Sequence, residues 1–269
     1  MQTEIITSRQ NPKIARFRAL MNNRKARLDS GEFAVEGGKL FHEAVNSGLK
    51  PLHLLISEKF SEKNNNFCKT ASNLCNIDII STDLAEYISD TKSPQGVFFT
   101  LSVKSLLDKF SKLTTIINDT ANKSRLIILD GVQDPGNVGA IIRSCDAFGI
   151  AGLILSETCA DITSPKVIRS AMGSVFRLPV VREDLTQIIT LLKEKGYMVA
   201  GADLNENAKN LKDFAFPGKC AVVIGSEGAG ISGEVKSLCD DLIYIPIQNA
   251  ESLNAAVAAS VIIYELQKM

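Results

Sequence analysis

Short apolar runs and amphipathic stretches alternate through the second half of the chain. The runs have the length of buried strands, and the stretches between them repeat apolar residues at helical spacing. Strands that are joined by helices pair in parallel, so this alternation predicts an α/β domain with a mostly parallel sheet covered on both faces. The predicted strands are Leu126–Leu129, Gly152–Leu155, Tyr197–Gly201, Ala221–Ile224 and Ile243–Ile245, and the predicted helices are Val138–Phe148, Asp184–Lys195 and Ala255–Leu266.

The first half of the chain shows a similar alternation on a smaller scale. It predicts a small α/β domain over residues 29–104, followed by a polar linker over 105–124 and the larger domain over 125–269. Two domains agree with a length of 269 residues, since a single core tends to split at this size. The elements predicted in the small domain are a helix over Lys39–Ser47 and strands over Leu52–Ile56, Ile77–Ser81 and Gln95–Leu101.

Basic residues are concentrated in the first 28 positions. These positions contain seven basic residues and one acidic residue, whereas the whole chain contains 30 basic and 30 acidic residues. Ile14, Phe17 and Met21 follow Asn11-Pro12 at helical spacing, which predicts a helix with an apolar stripe among arginines. Two interpretations stay open: a solvated helix docked on the body of the protein, or an arm that contacts the phosphates of a nucleic acid.

Composition excludes several classes of protein. A hydrophobic fraction of 45% supplies a packed core and excludes a disordered or fibrous chain. The six cysteines form no C-x-x-C pair and are accompanied by two histidines, so we expect buried free thiols and no metal site. The chain shows no signal peptide, and no apolar run reaches the ~20 residues of a membrane span, which predicts a cytoplasmic protein without a membrane partner.

Three predicted strand exits are rich in glycine and small polar residues. They span 130–139, 225–230 and 245–254, and Arg143 lies in the helix that follows the first. Ligands of open α/β sheets bind at such exits, where glycines let the backbone approach them closely. The loops match neither the G-x-G-x-x-G fingerprint nor a P-loop, and the second domain contains no histidine. These absences argue against dehydrogenases, nucleotide triphosphatases and histidine-dependent hydrolases.

Each polar residue in these loops also has a purely structural explanation. Asn137 is placed to cap the helix that follows it, and Ser252 and Asn254 are placed to cap the last helix. Arg143 lies on the polar face of its helix, and Glu227 between glycines could satisfy loop amides. The joint occurrence of these residues at three strand exits favours a functional interpretation.

Three segments resemble the sequence motifs of the SpoU/TrmH family. They are Asn137-Val-Gly-Ala-Ile-Ile-Arg143, Gly225-Ser-Glu-Gly-Ala-Gly230, and Ile245-Pro246 with Ser252-Leu253-Asn254. Members of this family are S-adenosylmethionine-dependent RNA ribose 2′-O-methyltransferases of the SPOUT superfamily. Phe33–Lys39 and Ser93–Val97 resemble the small substrate-binding domain that often precedes the catalytic one, although threonine is usual where Ser93 stands. Ser8-x-x-Asn11-Pro12 resembles a branch that methylates ribosomal RNA.

The resemblance implies a trefoil-knotted catalytic domain, a homodimer whose sites draw on both subunits, and RNA, preferably ribosomal, as substrate. By position, S-adenosylmethionine would be held by Gly225, Gly230, Ile245, Leu253 and Ala202. The catalytic set would be Arg143, Asn137, Glu227, Ser252 and Asn254, with the guanidinium gripping a phosphate rather than acting as a base. The basic residues expected to contact RNA are Arg9, Lys13, Arg16, Arg24, Lys25 and Lys39.

Three alternative functions stay open at this point. The chain could be a non-catalytic RNA-binding or ribosome-assembly factor of the same fold, which cofactor binding would distinguish from an enzyme. It could methylate the ribose of transfer RNA, or a base instead of a ribose, which nucleoside analysis of the product would distinguish.

Overall fold

The structure is a computed structural model that describes residues 5–108, 112–118 and 124–268. Contacts divide the chain into two compact units, one within 1–108 and 163–168 and the other within 109–162 and 169–269. The limits of the arm, linker and domains remain predictions. Residues 109–111 and 119–123, which fall in the predicted linker, lie outside the described residues.

The small unit is built on a four-stranded mixed sheet. Its strands are β1 (Glu32–Glu36), β2 (His53–Ser57), β3 (Ile77–Ile80) and β4 (Val97–Ser102). In the order β1-β4-β2-β3, β4 runs antiparallel to both of its neighbours, and β2 pairs with β3 in parallel. The helices are α1 (Pro12–Asn22), α2 (Arg24–Ser30), α3 (Gly38–Asn46), α4 (Glu58–Lys63), α5 (Asn65–Ser72), α6 (Thr82–Ile88) and α7 (Val103–Asp108).

Four of these helices are absent from the sequence prediction. α2, α4, α5 and α6 contain between six and eight residues each. Two turns of helix are too few for the apolar period to be read. Their starts are set locally instead: the hydroxyls of Ser57 and Ser81 accept hydrogen bonds from the first turns of α4 and α6.

Helix α1 packs its apolar stripe into the core of the small unit. The side chain of Asn11 caps it by accepting from the amide of Lys13 at 2.9 Å, and Ile14, Phe17 and Leu20 are fully buried. Deleting residues 1–28 would therefore expose the core as well as remove charge. The burial favours the interpretation of 12–22 as a docked helix.

Most basic side chains of this segment are held by neighbours within the small unit. Lys13 pairs with Asp78 at 2.7 Å, and Arg16 pairs with Glu32 at 2.5 Å. Arg24 and Lys25 are exposed, and their side chains make no hydrogen bond or ion pair with the described residues. The remaining contacts are Arg9 and Arg18 over the ring of Tyr87, and Arg27 buried against the carbonyl of Leu20.

The large unit is built on a seven-stranded sheet in which every neighbouring pair is parallel. The strand order is β7-β6-β5-β10-β8-β11-β9. The strands are β5 (Ser124–Asp130), β6 (Gly152–Leu155), β7 (Val180–Arg182), β8 (Met198–Ala202), β9 (Lys209–Asn210), β10 (Lys219–Gly225) and β11 (Asp241–Tyr244). The helices are α8 (Lys112–Asn118), α9 (Pro135–Ala147), α10 (Pro165–Ala171), which spans the division between the units, α11 (Leu185–Glu194), α12 (Gly233–Leu238) and α13 (Ala255–Glu265).

The predicted α/β class with a parallel sheet is confirmed. The central strands are buried on both faces, as shown by Leu126, Ile127, Val222 and Val223, which have no exposed surface. Several strand bounds differ from the prediction by one or two residues, and the short strands β7 and β9 were not predicted. One difference bears on the site: β11 ends at Tyr244, so Ile245 belongs to the loop and not to the strand. The proline that follows Ile245 cannot donate to a ladder, which explains the early end.

All six cysteines are free, as expected. Cys145, Cys159 and Cys220 are buried, whereas Cys68, Cys75 and Cys239 are partly exposed, which corrects the expectation of uniform burial. Burial raises the pKa of the Cys220 and Cys239 thiols to about 11. These two thiols are therefore protonated at neutral pH and are poor nucleophiles.

Candidate functional site

Three loops meet at the carboxyl edge of the large sheet. They follow β5, β10 and β11, and the strand order brings them together because β10 lies beside β5 while β8 alone separates β10 from β11. The carboxyl ends of parallel strands share one edge, so residues far apart in the chain become neighbours here. These loops are the three that the sequence singled out.

A hydrogen-bonded triad links the three loops. The Nδ2 of Asn137 donates to Oε1 of Glu227 at 2.5 Å, and the Nδ2 of Asn254 donates to the same oxygen at 2.6 Å. Asn254 Nδ2 also donates to Oδ1 of Asn137 at 3.0 Å. One predicted catalytic residue from each motif therefore takes part in a single network.

The structural explanations of these residues hold only in part. Asn137 does not cap α9: that role belongs to Asp134, whose Oδ1 accepts from the Asn137 amide at 2.9 Å. Asn254 does cap α13, by accepting from the amides of Ala256 and Val257. Glu227 accepts from the two asparagine side chains rather than from loop amides. Asn254 therefore takes part in both a helix cap and the network, whereas Asn137 takes part in the network and does not cap a helix.

A cleft of about 330 Å³ opens beside the triad. All five residues expected to hold the cofactor line it, namely Ala202, Gly225, Gly230, Ile245 and Leu253. Its volume lies within the ~300–1,000 Å³ range of small-molecule sites. The sequence did not single out the apolar residues that complete its wall, which are Leu204, Ile224, Ile243, Ile247, Ala258 and Ile262.

The residues of this cleft fit S-adenosylmethionine. Apolar side chains suit the face of an adenine ring, and the glycine-rich loop leaves backbone polar groups accessible. That loop folds tightly on itself: Ser226 and Gly230 exchange backbone hydrogen bonds of 3.0 Å each way. A Cβ on Gly225 would lie well under 3.0 Å from the backbone of Gly230 and Ile231, so only glycine fits there.

A second cleft of about 340 Å³ lies on the other side of the same loop. Residues 131–134 and Asn137 form one wall, and Ser226, Glu227 and Gly228 form the other. The two clefts share those three loop residues. Glu227 therefore borders both, which is the position that a group acting between two bound substrates requires.

Three further residues hold the walls of the second cleft in place. Oδ2 of Asp130 accepts from the amide of Ser232 at 2.8 Å, which joins the ends of β5 and the glycine loop. The hydroxyl of Ser156 accepts from the amide of Gly131 at 2.9 Å. The guanidinium of Arg182 donates to four carbonyls of the 156–160 loop, two of them at 2.6 and 2.7 Å. Sequence reasoning included Asp130 only as the first residue of the 130–139 loop and missed Ser156 and Arg182.

The remaining predicted catalytic residues lie apart from the triad. Ser252 lines the first cleft and is exposed. Arg143 is exposed on α9 and lines neither cleft. It follows Asn137 by six residues, about 9 Å along the helix and about 240° around it, so the two side chains leave α9 in different directions. The structure thus brings Asn137, Glu227 and Asn254 together but not Arg143.

Two absences concern the described residues. In the ranges 5–108, 112–118 and 124–268, no group of three or more His, Cys, Asp or Glu residues is placed to hold a metal ion. None of the helices within those ranges is both long and apolar enough to cross a membrane.

Comparisons with known proteins agree over the length of the chain. Residues 124–264 match the SpoU rRNA Methylase family, and residues 11–98 match the MRM3-like substrate binding domain. The 23S rRNA (guanosine(2553)-2′-O)-methyltransferase RlmP of Bacillus subtilis is 30% identical over 266 residues, which are 97% of this chain and 98% of the relative.

Solved structures with bound cofactor are also similar to this chain. The AdoMet-bound rRNA methyltransferase from Sinorhizobium meliloti is 26% identical, with a TM-score of 0.84 over 100% of this chain and 98% of its own. The SpoU methyltransferase AviRb from Streptomyces viridochromogenes, in complex with the cofactor AdoMet, is 29% identical, with a TM-score of 0.82 over 96% and 98% of the two chains. These matches confirm the resemblance read from the three motifs, and the chain belongs to the SpoU rRNA methylase family.

Proposed function

We propose that this protein transfers the methyl group of S-adenosylmethionine to a ribose 2′-hydroxyl of ribosomal RNA, with 23S rRNA as the first substrate to test. The observation that carries the proposal is the Asn137–Glu227–Asn254 network, which joins all three family motifs between two clefts. The name of the Bacillus subtilis relative supports 23S rRNA. The AdoMet-bound relatives support the cofactor.

Each of the two clefts binds one of the two reactants. The first, lined by Gly225, Ile245 and Leu253, receives S-adenosylmethionine, which supplies a methyl group activated by its positive sulfonium. The second, lined by residues 131–134 and Asn137, receives the target nucleoside. Holding two reactants in line accounts for about 7–11 kcal/mol of a barrier in well-oriented cases, so positioning by these walls is the main contribution we assign to the chain.

Glu227 is the group placed to accept the proton that leaves the hydroxyl. Its Oε1 is engaged by the amides of Asn137 and Asn254, whereas its Oε2 has no partner among the described residues. The two asparagines fix the direction of the carboxylate, and Oε2 is left to accept from a 2′-hydroxyl, directly or through water. A carboxylate that accepts a proton as the nucleophile attacks acts as a general base.

We assign Arg143 to the RNA phosphate next to the target ribose. A guanidinium is effectively never deprotonated, but it binds a phosphate through two parallel hydrogen bonds. Its exposed side chain has no partner among the described residues, so it is available for such a contact.

Replacing Arg143 distinguishes the binding of an RNA phosphate from a role as a base. We expect Arg143→Lys to keep most of kcat while the KM for RNA rises about tenfold, because lysine retains the charge and loses the forked geometry. Steady-state methylation of 23S rRNA measures both constants. A loss of kcat at saturating RNA with an unchanged KM would contradict the phosphate role.

We further propose that the chain is a homodimer with the knotted path of its family, and that it is cytoplasmic. The outward direction of Arg143 supports sites built from two subunits, since this residue lies off the triad of its own chain. Val257 and Tyr264 leave 49% and 52% of their surfaces exposed on α13, which supports an apolar contact there. The free cysteines support a reducing compartment. Sedimentation equilibrium tests the dimer, and a monomer would contradict it.

The experiment that tests the function combines the protein, methyl-labelled S-adenosylmethionine and protein-free 23S rRNA, followed by nucleoside analysis. We expect a single 2′-O-methylnucleoside and no labelled base. Label on a base would contradict ribose methylation. In a parallel reaction with transfer RNA, label on transfer RNA but not on 23S rRNA would replace ribosomal RNA as the proposed substrate. RNA binding with neither methyl transfer nor binding of S-adenosylhomocysteine would favour the non-catalytic RNA-binding alternative.

A further inference from the structure

The small unit has a cleft of its own, of about 440 Å³, that plays no part in the site above. It lies where β2 ends and α4 begins, and the start of α6 and residues 92–96 complete its walls. Lys59, Lys63 and Lys92 line it together with one acidic residue, Glu86. Three positive charges against one negative charge leave an excess of two at this cleft.

These lysines differ from the basic residues of α1 in having no partners. Lys59, Lys63 and Lys92 are exposed, and none has an ion pair or side-chain hydrogen bond with the described residues. Lys13 and Arg16 of the same unit are each in an ion pair. Lys59 and Lys63 are four residues apart on α4 and so share one face. Uncompensated cations around a concave surface attract a polyanion.

The segment that carries Lys92 is held by hydrogen bonds to a buried carboxylate. Glu36 is 3% exposed, and its Oε1 accepts from the amide of Gln95 at 2.8 Å while its Oε2 accepts from the hydroxyl of Ser89 at 2.7 Å. The segment between these two contacts carries Lys92. Gly96, with φ of 73°, lies against the hydroxyl of Ser57, where a Cβ would not fit. Lys92 therefore extends from a segment that buried hydrogen bonds hold in place.

We propose that the cleft bounded by Lys59, Lys63 and Lys92 grips the phosphate backbone of the substrate RNA, in place of the N-terminal helix. The inference rests on the proposed function and assigns its RNA contact to a particular face of the small unit. The charges of Lys13 and Arg16 on α1 are instead balanced by Asp78 and Glu32. The three lysines are the free positive charges of this cleft.

The test compares two triple variants of the full chain. One is Lys59→Ala/Lys63→Ala/Lys92→Ala, and the other is the control Lys50→Ala/Lys69→Ala/Lys104→Ala, which removes three exposed cations of the small unit that do not line the cleft. Filter binding of protein-free 23S rRNA over a range of salt gives the slope of log K against log salt. Each phosphate contact contributes about 0.7 to that slope on a single strand, so we expect the cleft variant to lose about 2 and the control to lose little.

Further readouts separate this inference from the proposed function. A third variant, Lys59→Arg/Lys63→Arg/Lys92→Arg, keeps the charge, and we expect it to keep the wild-type slope. The cleft variant should also keep the wild-type affinity for S-adenosylhomocysteine, which shows that the large unit is intact. An unchanged slope in the cleft variant, or an equal loss in the control, would overturn the inference. Failure of the wild-type protein to methylate RNA would instead overturn the function.

Discussion

Glu227→Gln is expected to lower kcat for RNA methylation by about 10²–10⁴-fold, the usual contribution of a general base. Glutamine has the same shape, and its oxygen still accepts from Asn137 and Asn254, so the network and the cap of α13 persist. The atom that replaces Oε2 is an N–H donor, which cannot take a proton from the ribose hydroxyl. The KM for RNA, the affinity for S-adenosylhomocysteine and the melting temperature should therefore stay close to wild-type values.

Glu251→Gln is the matched control for this substitution. Glu251 is an exposed carboxylate in the loop that also carries Ser252 and Asn254, and it lines neither cleft. The control removes the same charge from the same sheet edge. If both variants lost activity equally, the effect would come from net charge and not from the position of Glu227. A Glu227→Gln enzyme with wild-type kcat would exclude the proton-accepting role.

Gly225→Ala is expected to weaken the binding of S-adenosylhomocysteine by about a hundredfold, with a lower melting temperature. The added methyl group would meet the backbone of Gly230 and Ile231, neither of which can rotate away as a side chain can. The loop must shift, and overpacking of this kind costs about 1–3 kcal/mol. Since the same loop closes the cofactor cleft and carries Glu227, kcat should fall as well. Isothermal titration calorimetry and a thermal melt measure the two effects.

Gly228→Ala serves as the control within the same loop. A Cβ at Gly228 has no neighbour within 4 Å, and the backbone there is not left-handed. We expect this variant to bind S-adenosylhomocysteine with nearly wild-type affinity and to keep its melting temperature. Equal losses in both variants would mean that any side chain disturbs the loop. Wild-type binding by Gly225→Ala would show that the loop adjusts without cost.

Helices with long apolar periods were predictable from the sequence, and so were several of their ends. Asp184 caps α11 by accepting from the amides of Thr186 and Gln187, and Asn11 caps α1. Gly149 closes α9 with φ of 68°, a value that favours glycine. These signals act over a few residues, so a single chain segment contains all the information that they need. Short helices such as α4 lack that length and were missed.

Contacts between distant segments were not predictable in the same way. The hydrogen bonds from Asn137 to Glu227 and from Asn254 to Asn137 cross 90 and 117 residues. Sequence spacing placed Asn137 as a helix cap, whereas the fold gives that role to Asp134 and directs Asn137 into the network. The pairing of Lys13 with Asp78 likewise balances a cation that the local excess of basic residues had assigned to RNA.

The α/β class, the glycine-rich strand exits and the family to which they belong could be read from the sequence, because they depend on local periodicity and on residues within one loop. Which side chains meet depends on the tertiary structure. It placed β10 beside β5, so that Glu227 joined two asparagines between two clefts, and it left Arg143 on another face of α9. Packing also decides which charged side chains form ion pairs within the protein and which stay unpaired. It depends on the whole chain and not on one segment.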